Sequence, residues 1–286
     1  MFKRDATDTS SISFTALYTG HVWEKNGLSA PAFHTRTGAL LYHALAPFEA
    51  VGGRLVGGNI RTFLLQRHHL IDHLLEQAIS DGVTQVIEIA CGLSPRGYRF
   101  RQRYPQLHYI EADLPDMADR KQALLARLGA LGPRHQALPL NIFHEQGADS
   151  LEQVLADHFD RSRPLLVITE GLVNYFPLTA MDPFWRRLAR AMQGFPFARY
   201  LTDNYPLLDD HPFHRTMQTL RGLLGAVSRS SVSFHFGSDA EAGHHVQAQG
   251  FDHVTVHNPE HFYQTLPIPV VRGTPFVRVI EARTGA

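Results

Sequence analysis

Short apolar runs alternate along this chain with longer segments in which apolar residues recur every three or four positions. The runs predict five strands, at about 85–90, 107–112, 135–140, 164–170 and 199–204. Two closing strands are expected within 251–257 and 276–281. Because the segments between the first five runs are long enough for crossover helices, those strands should lie parallel. The pattern therefore predicts an α/β fold: a Rossmann-like, seven-stranded, mostly parallel sheet with helices on both faces.

The clearest amphipathic segment precedes the first strand. Over 59–80 the apolar residues follow helical spacing, with Asn59 as the predicted N-cap and Asp81-Gly82 as the stop. The glycine-rich stretch 51–58 is predicted to be a loop before this helix. Two further helices are expected after the fifth strand, over about 209–227 and 238–249.

These elements suggest two regions. Residues 1–80 are expected to form an N-terminal helical cap packed on the core. Residues 81–286 are expected to form a Rossmann-like domain, with an insertion at about 205–237 that covers a substrate. Seven strands that end in a hairpin-like pair are the layout of class I methyltransferases, whereas a dinucleotide-binding sheet usually has six.

Three of the predicted strands end in small or acidic residues. The first ends in Glu88-Ile-Ala-Cys-Gly92, the second in Asp113 and the fourth in Glu170-Gly171. Open α/β sheets bind nucleoside-like ligands where the carboxyl ends of their strands meet, so these residues form a predicted ligand site. Ala90 and Gly92 are small, as a close approach of ligand and backbone requires.

The first turn does not match the dinucleotide pattern. G-x-G-x-x-G would need glycine at position 90 and glycine or alanine at position 95, where this chain has Ala90 and Pro95. A sulfonium cofactor has no pyrophosphate to cradle, so the motif favours S-adenosylmethionine. Asp113 lies about 20 residues beyond this turn, where an acid can accept hydrogen bonds from ribose hydroxyls. Glu111 competes for this role, and Asp113 is preferred because it is nearer the strand end.

Arg67 lies at the centre of the apolar stripe of the 59–80 helix. Its guanidinium cannot lose its proton, so it should meet an anion inside the protein. Two partners are open: the carboxylate of a cofactor, or a buried Asp or Glu in an internal ion pair. His69 and His73, spaced i, i+4, fall on the opposite face, and neither the His211/His214 pair nor His244-His245 has a third ligand at a convincing spacing. We predict no metal.

Composition narrows the class of partner. The 286 residues carry 27 basic and 27 acidic side chains, a formal net charge of zero, which argues against a surface for nucleic acid or anionic membranes. No apolar run approaches membrane-spanning length, and the N-terminus lacks a signal-peptide pattern. The single cysteine, Cys91, suits a reducing compartment. We expect a cytoplasmic enzyme with a small-molecule substrate, and the sequence does not predict its oligomeric state.

The chain resembles the leucine carboxyl methyltransferase family, including bacterial members assigned to O-methylation in polyketide biosynthesis. The resemblance rests on four segments in family order: Arg67-His-His-Leu-Ile-Asp72, Glu88-Ile-Ala-Cys-Gly-Leu-Ser-Pro-Arg-Gly-Tyr-Arg99, Tyr109-Ile-Glu-Ala-Asp-Leu-Pro115 with Lys121, and Thr169-Glu-Gly-Leu-Val-Asn-Tyr175. Three positions depart from the family pattern: Ala90 replaces Gly, Ser94-Pro95 replaces Asp-Thr, and Asn141 replaces Asp.

The resemblance implies roles for individual residues. Arg67 would hold the cofactor carboxylate, the turn from Ala90 to Gly92 its methionine portion, and Asp113 its ribose. Asn141 and Ile142 would flank the adenine, and Glu170 would lie near the amino end. The full predicted cofactor-binding set is Arg67, Glu88, Ala90, Gly92, Asp113, Leu114, Asn141, Ile142 and Glu170.

The substrate is expected to face the ends of the fourth and fifth strands. Tyr175, Asn174 and His211 are the predicted substrate-positioning residues, together with Tyr18, Asp203 and Tyr205. The leading hypothesis is an S-adenosylmethionine-dependent O-methyltransferase that acts on a carboxylate or phenolic hydroxyl of a small metabolite and releases S-adenosylhomocysteine. The alternatives are a non-catalytic S-adenosylmethionine-binding protein and a methyltransferase for a protein carboxylate. A dinucleotide-dependent oxidoreductase is disfavoured by the missing glycines.

Overall fold

A single mixed sheet organises the computed structural model, which describes residues 10–56, 59–207 and 233–285, with only the helical backbone of 10–15 and 47–56. Its seven strands are β1 (Gln85–Ile89), β2 (His108–Asp113), β3 (His135–Pro139), β4 (Leu165–Thr169), β5 (Ala198–Asn204), β6 (His253–His257) and β7 (Arg278–Thr284). The strand order is β3-β2-β1-β4-β5-β7-β6. The first five strands run parallel, and β7 pairs antiparallel with both β5 and β6. The predicted fold class is confirmed.

Helices flank this sheet on both faces. They are α1 (Ser10–Lys25), α2 (Arg36–Val56), α3 (Ile60–Ser80), α4 (Arg96–Arg103), α5 (Pro115–Arg127), α6 (Leu151–His158), α7 (Leu178–Met192) and α8 (Asp239–Gln247). Short 3₁₀ helices span Pro31–Phe33, Val173–Tyr175 and Pro259–Phe262. Among the described residues, no helix is both long enough and apolar enough to cross a membrane.

The two sides of the sheet carry separate cores. On one side, residues of α6, α7 and α8, including Trp185 and Val246, pack against Ile87 and Tyr200 of the strands. On the other side, α3 and α4 pack against the opposite faces of β1, β2 and β4. Because β1 and β4 lie inside the sheet and are covered on both faces, they are buried along their whole length.

The structure corrects one predicted boundary. Residues 51–56 belong to α2 and do not form a loop. Glycine inside a helix costs only about 1 kcal/mol relative to alanine, and extending an existing helix adds a backbone hydrogen bond for each residue. The Gly52-Gly53 pair is therefore too weak a signal to end α2. The predicted helix at about 209–227 lies outside the described residues.

Helix α3 follows its prediction. Asn59 caps it, since its side-chain oxygen accepts hydrogen bonds from the Thr62 backbone N–H and hydroxyl, both at 2.9 Å. Burial is wider than the predicted stripe, because Gln66, His68 and Asp72 are also buried. Helix α3 therefore carries polar side chains as well as apolar ones into the interior.

Candidate functional site

The carboxyl ends of β1, β2 and β4 lie side by side. Strand β1 stands between the other two, with Ile89 in register with Ala112 on one side and with Thr169 on the other. The next residues along each strand are therefore neighbours at one edge: Ala90, Asp113 and Glu170. The predicted grouping of these strand ends is present in the structure.

The turn after β1 is held against the end of β2 by Asp113. The Gly92 N–H donates to Asp113 Oδ2 at 2.7 Å, and the Leu114 N–H donates to Oδ1 at 2.8 Å. Burial raises the pKa of Asp113, although these two backbone hydrogen bonds oppose the rise. Each carboxylate oxygen has a second lone pair, so Asp113 can still accept hydrogen bonds from a ligand.

Ala90 and Gly92 bend this turn through left-handed backbone conformations. Their φ angles are 55° and 49°, and Ala90 is the single non-glycine residue with positive φ in the described chain. A positive φ favours glycine, so the backbone at position 90 suits the glycine of the family pattern better than the alanine of this chain. Ala90 keeps the turn at the cost of strain.

Glu111, the competitor for the ribose role, is committed to internal contacts. It is fully buried and lies 2.6 Å from Lys121 Nζ and 2.7 Å from His135 Nε2. Lys121 also donates to the carbonyl of Ser94 at 2.6 Å, which ties α5 to the β1 turn. Asp113 is the more accessible of the two acids, and its role with ribose stays a prediction.

Arg67 projects from α3 to the end of β4. Its Nε donates to Glu170 Oε1 at 3.0 Å, and its Nη1 donates to Asp203 Oδ2 at 2.8 Å and to the Tyr205 hydroxyl at 3.1 Å. The internal ion pair, one of the two predicted alternatives, is therefore present. Arg67 Nη2 makes no hydrogen bond to a described residue, so the guanidinium retains a donor for a second anion.

Gly171 makes room for this guanidinium. A Cβ at this position would lie 2.9 Å from Arg67 Nη2, and the φ of 72° independently favours glycine. The backbone N–H of Gly171 donates to Asp203 Oδ1 at 2.5 Å. The Arg67 guanidinium of α3 thus lies between two carboxylates, Glu170 after β4 and Asp203 in β5.

Glu170 connects this group to a second buried arginine, Arg96. Arg96 Nη2 lies 2.5 Å from Glu170 Oε2, and His68 Nδ1 lies 2.9 Å from the same oxygen. Burial alone would raise the pKa of Glu170, but His68, Arg96 and Arg67 hold it well below its usual range. Glu170 is therefore a buried carboxylate that stays ionised.

Arg96 itself joins three acids. It also contacts Asp72 at 2.6 Å and Glu88 at 2.5 Å, and its side chain has no exposed surface. Glu88 accepts a further hydrogen bond from the Tyr109 hydroxyl at 2.6 Å and is fully buried. Glu88 is thus a fully buried partner of Arg96, and its role in cofactor binding stays a prediction.

Sequence reasoning missed Arg96 and His68. Both lie in segments quoted for the family resemblance, but neither was assigned a role. A sequence signal for these cations existed. Glu88, Glu111 and Glu170 all lie within predicted strands of the sheet, and several acids in the interior require interior cations. Arg96 follows the β1 turn directly and was an available partner.

The predicted adenine residues follow β3. Asn141 Oδ1 accepts from the Phe143 N–H at 3.0 Å, and the Asn141 N–H donates to the carbonyl of Asp149 at 2.9 Å. Ile142 is buried, while Phe143 is partly exposed and meets Phe176 edge to face with ring centroids 4.8 Å apart. Asn141 thus supports a turn that presents apolar surface beside the strand edge.

The predicted substrate residues have different surroundings. Asn174 Nδ2 donates to the carbonyl of Ser233 at 2.6 Å and its Oδ1 accepts from the Tyr205 N–H at 3.0 Å, so it braces the segment after β5. Asp203 and Tyr205 contact Arg67, as described above. Tyr18 is buried on α1, with its ring 6.4 Å from that of Tyr42.

Tyr175 completes the 3₁₀ helix after β4 and is partly exposed. His211 lies outside the described residues. Asp203 and Tyr205 therefore contact Arg67, and Asn174 reaches this group through the backbone of Tyr205. Tyr18 belongs to a separate cluster with Leu64 and Leu65.

Comparisons with known proteins agree with this architecture. The family model for leucine carboxyl methyltransferase matches residues 39–189. A Mycobacterium sp. (strain KMS) protein named "Putative S-adenosyl-L-methionine-dependent methyltransferase" is 31% identical over 196 residues, which is 66% of this chain and 61% of that protein. The chain thus spans about three fifths of the length of this relative.

Solved structures resemble the fold. A "putative methyltransferase" from Thermobifida fusca YX aligns with TM-score 0.60 and 12% identity over 96% of this chain and 95% of that one. The apo form of the S-adenosylmethionine-dependent methyltransferase SibL aligns with TM-score 0.54 and 14% identity over 97% and 72%. At these identities the likeness concerns the fold alone.

Proposed function

Because the chain belongs to the leucine carboxyl methyltransferase family, we propose that it is an S-adenosylmethionine-dependent O-methyltransferase for a carboxylate or phenolic hydroxyl of a small metabolite. The observation that carries the proposal is the convergence of Asp113, Arg67 and Glu170 at one edge of the sheet. These residues come from β2, α3 and the end of β4, and all three lie within the matched region.

The chemistry of these groups fits the cofactor. S-adenosylmethionine carries a carboxylate, an ammonium and a sulfonium, so its net charge is +1. The site offers the Arg67 guanidinium for the cofactor carboxylate and the carboxylate of Glu170 for its ammonium. Arg67 would hold the cofactor carboxylate through Nη2, and Glu170 would face its ammonium. Asp113 would hold ribose hydroxyls, with Asn141 and Ile142 beside the adenine.

When bound, S-adenosylmethionine supplies an already activated methyl group. The task of the protein residues is then to align an acceptor and keep water away, for which proximity effects supply roughly 7–11 kcal/mol. A carboxylate or phenolate acceptor needs little help from a base. The side chains of Asn174, Asp203 and Tyr205 are already hydrogen-bonded to neighbouring groups. Their proposed task is therefore to position the acceptor, and no proton transfer is required of them. Tyr175, His211 and Tyr18 stay proposed contacts of the acceptor.

The cofactor assignment is tested by calorimetric titration with S-adenosylhomocysteine, S-adenosylmethionine and NAD. We expect both adenosyl ligands to bind and NAD not to bind. Asp113→Ala should weaken S-adenosylhomocysteine binding on the order of tenfold to a hundredfold, as expected for lost hydrogen bonds to a charged group. Asp119→Ala, at an exposed position of α5, is the matched control and should bind like the wild type. Failure of the folded wild-type protein to bind either adenosyl ligand would refute the proposal.

The acceptor class is tested with methyl-labelled donor and libraries of small carboxylates and phenols. A methyl ester releases volatile methanol in mild base, whereas a phenolic methyl ether is stable, so base treatment of the labelled product separates the two classes. Label in protein would indicate the protein-carboxylate alternative. Tight adenosyl-ligand binding without transfer to either library would favour the non-catalytic alternative.

A further inference from the structure

A cluster of two histidines and one glutamate lies outside the site described above. His21 and Glu24 are one turn apart on α1, and His34 follows the 3₁₀ helix Pro31–Phe33. Glu24 Oε2 is 2.9 Å from Nδ1 of both histidines. One ligand atom from each residue lies within 4.8 Å of the other two, an arrangement found at this place alone in the described chain.

His21 lies close to Glu24, but its ring makes no well-formed hydrogen bond within the described part of the chain. Only 4% of its surface is exposed, and neither ring nitrogen makes a hydrogen bond of acceptable geometry to a described residue. Buried polar atoms in folded proteins nearly always have a partner, and each exception calls for an explanation such as an ion. Nδ1 of His21 and Oε2 of Glu24 lie close enough together to bind one ion in common.

We propose that His21, Glu24 and His34 bind a divalent zinc ion. Two imidazoles and one carboxylate form a three-ligand set that zinc uses in proteins, with a fourth position filled by water or another group. Nitrogen-rich sets of this kind favour late first-row transition ions over magnesium and calcium, which prefer oxygen ligands. This proposal departs from the sequence prediction of no metal, which considered other histidine pairs.

Zinc here would connect two elements that border the candidate cofactor site. Glu24 and His21 belong to the last turns of α1, and Trp23 between them stacks on His68 with ring centroids 4.1 Å apart. His34 belongs to the segment between α1 and α2. The ion would therefore fix the end of α1 to the following turn and hold Trp23 over the buried His68.

The test uses tag-free, full-length protein treated with chelator and then titrated with Zn²⁺ against a chromophoric indicator. We expect one zinc ion per chain and, with Co²⁺ in its place, the visible absorption of a four-coordinate ion. His34→Ala should weaken zinc binding at least tenfold and abolish the cobalt spectrum. Its imidazole is partly exposed, so this variant should fold.

His144→Ala is the matched control. His144 is similarly exposed and lies 2.9 Å from the Asp149 carboxylate, but the described structure gives this pair no third ligand. It should bind zinc like the wild type. Equal zinc affinity of wild type and His34→Ala, or binding lost equally in both variants, would overturn the proposal. Should His34→Ala prove misfolded by circular dichroism, Glu24→Gln, which keeps the shape of the side chain, replaces it with the same expected loss. Because no adenosyl ligand is added, these outcomes do not depend on the proposed methyl transfer.

Discussion

Ala90 carries a strained backbone in the turn that ends β1. A left-handed conformation costs an L-residue about 1–2 kcal/mol, and glycine avoids this strain while losing about 0.5–1 kcal/mol through its greater chain entropy. We therefore expect Ala90→Gly to raise the free energy of unfolding by about 0.5–1 kcal/mol in urea denaturation. Ala156→Gly, on an exposed face of α6, is the control and should lower it by a similar amount. A loss of stability in Ala90→Gly equal to that of the control would contradict the strain argument.

Arg96 is expected to be among the most sensitive single residues for stability. Replacing it with methionine leaves Asp72, Glu88 and Glu170 without their shared cation, and breaking a buried ionic group in this way costs about 3–5 kcal/mol. Arg103→Met removes an exposed ion pair with Glu76 and should cost no more than about 1 kcal/mol. Urea denaturation of both variants measures the difference, and similar losses would show that burial does not govern the effect.

Arg67 shows what could and could not be predicted from the sequence for a single residue. The periodicity of α3 correctly directed Arg67 to the interior, because helical geometry relates nearby residues. The identity of its partners could not follow from periodicity, since Glu170 and Asp203 lie on strands more than a hundred residues away along the chain. Arg96 and His68 were missed although the acids within the predicted strands indicated that interior cations were needed.

At the scale of elements, α3 depends on a defined start. Asn59 satisfies the Thr62 N–H, and loss of such a cap costs about 1 kcal/mol. Asn59→Ala should therefore lower the free energy of unfolding by about 1 kcal/mol in urea denaturation. Asn59→Asp retains the acceptor oxygen and should remain within a few tenths of the wild type. Equal loss in both variants would show that the amide N–H₂, and not the capping oxygen, is what stabilises this position.

The strands were predicted to within about two residues at most ends because each is a buried apolar run between polar segments. The end of α2 was not predicted, because two glycines compete there with the cooperativity of a helix already formed. The predicted strand ends were therefore sufficient to locate the candidate site. The ends of the helices that border it could be determined only from the structure.

Over the whole molecule, the ionisable groups predict a two-stage response to acid. Burial lowers the pKa of His69, His108 and His235, so below about pH 6.5 the unfolded chain binds protons that the folded chain resists, and stability falls. Asp72, despite the opposing effect of burial, has its pKa lowered from 3.8 to about 2 by His68, Arg96 and Arg99, and the pKa of Glu170 is also low. Their contribution is complete above their unfolded pKa values and is lost as pH falls from about 4 towards 2.

Calorimetric melting at constant ionic strength checks this response. We expect the melting temperature to fall between pH 7 and 5, to change less near pH 4 to 5, and to fall again below pH 4. Asp113 and Asp203 produce the flatter region, because burial raises their pKa values and their protonation favours the folded state. A melting temperature that rises between pH 7 and 5 would contradict the lowered pKa values of these three partly buried histidines.

The position of β7 has a consequence for how the chain folds during synthesis. In the described sheet β6 pairs only with β7, and β7 pairs with β5 across about eighty residues of sequence. Strand β6 therefore leaves the ribosome before the strand that attaches it, and the edge of β5 stays open until β7 arrives. Contacts of such long range form slowly, and an unpaired edge is a template for pairing with other chains. The interval between synthesis of β5 and β7 is thus when a nascent chain is most exposed to aggregation and most dependent on chaperones.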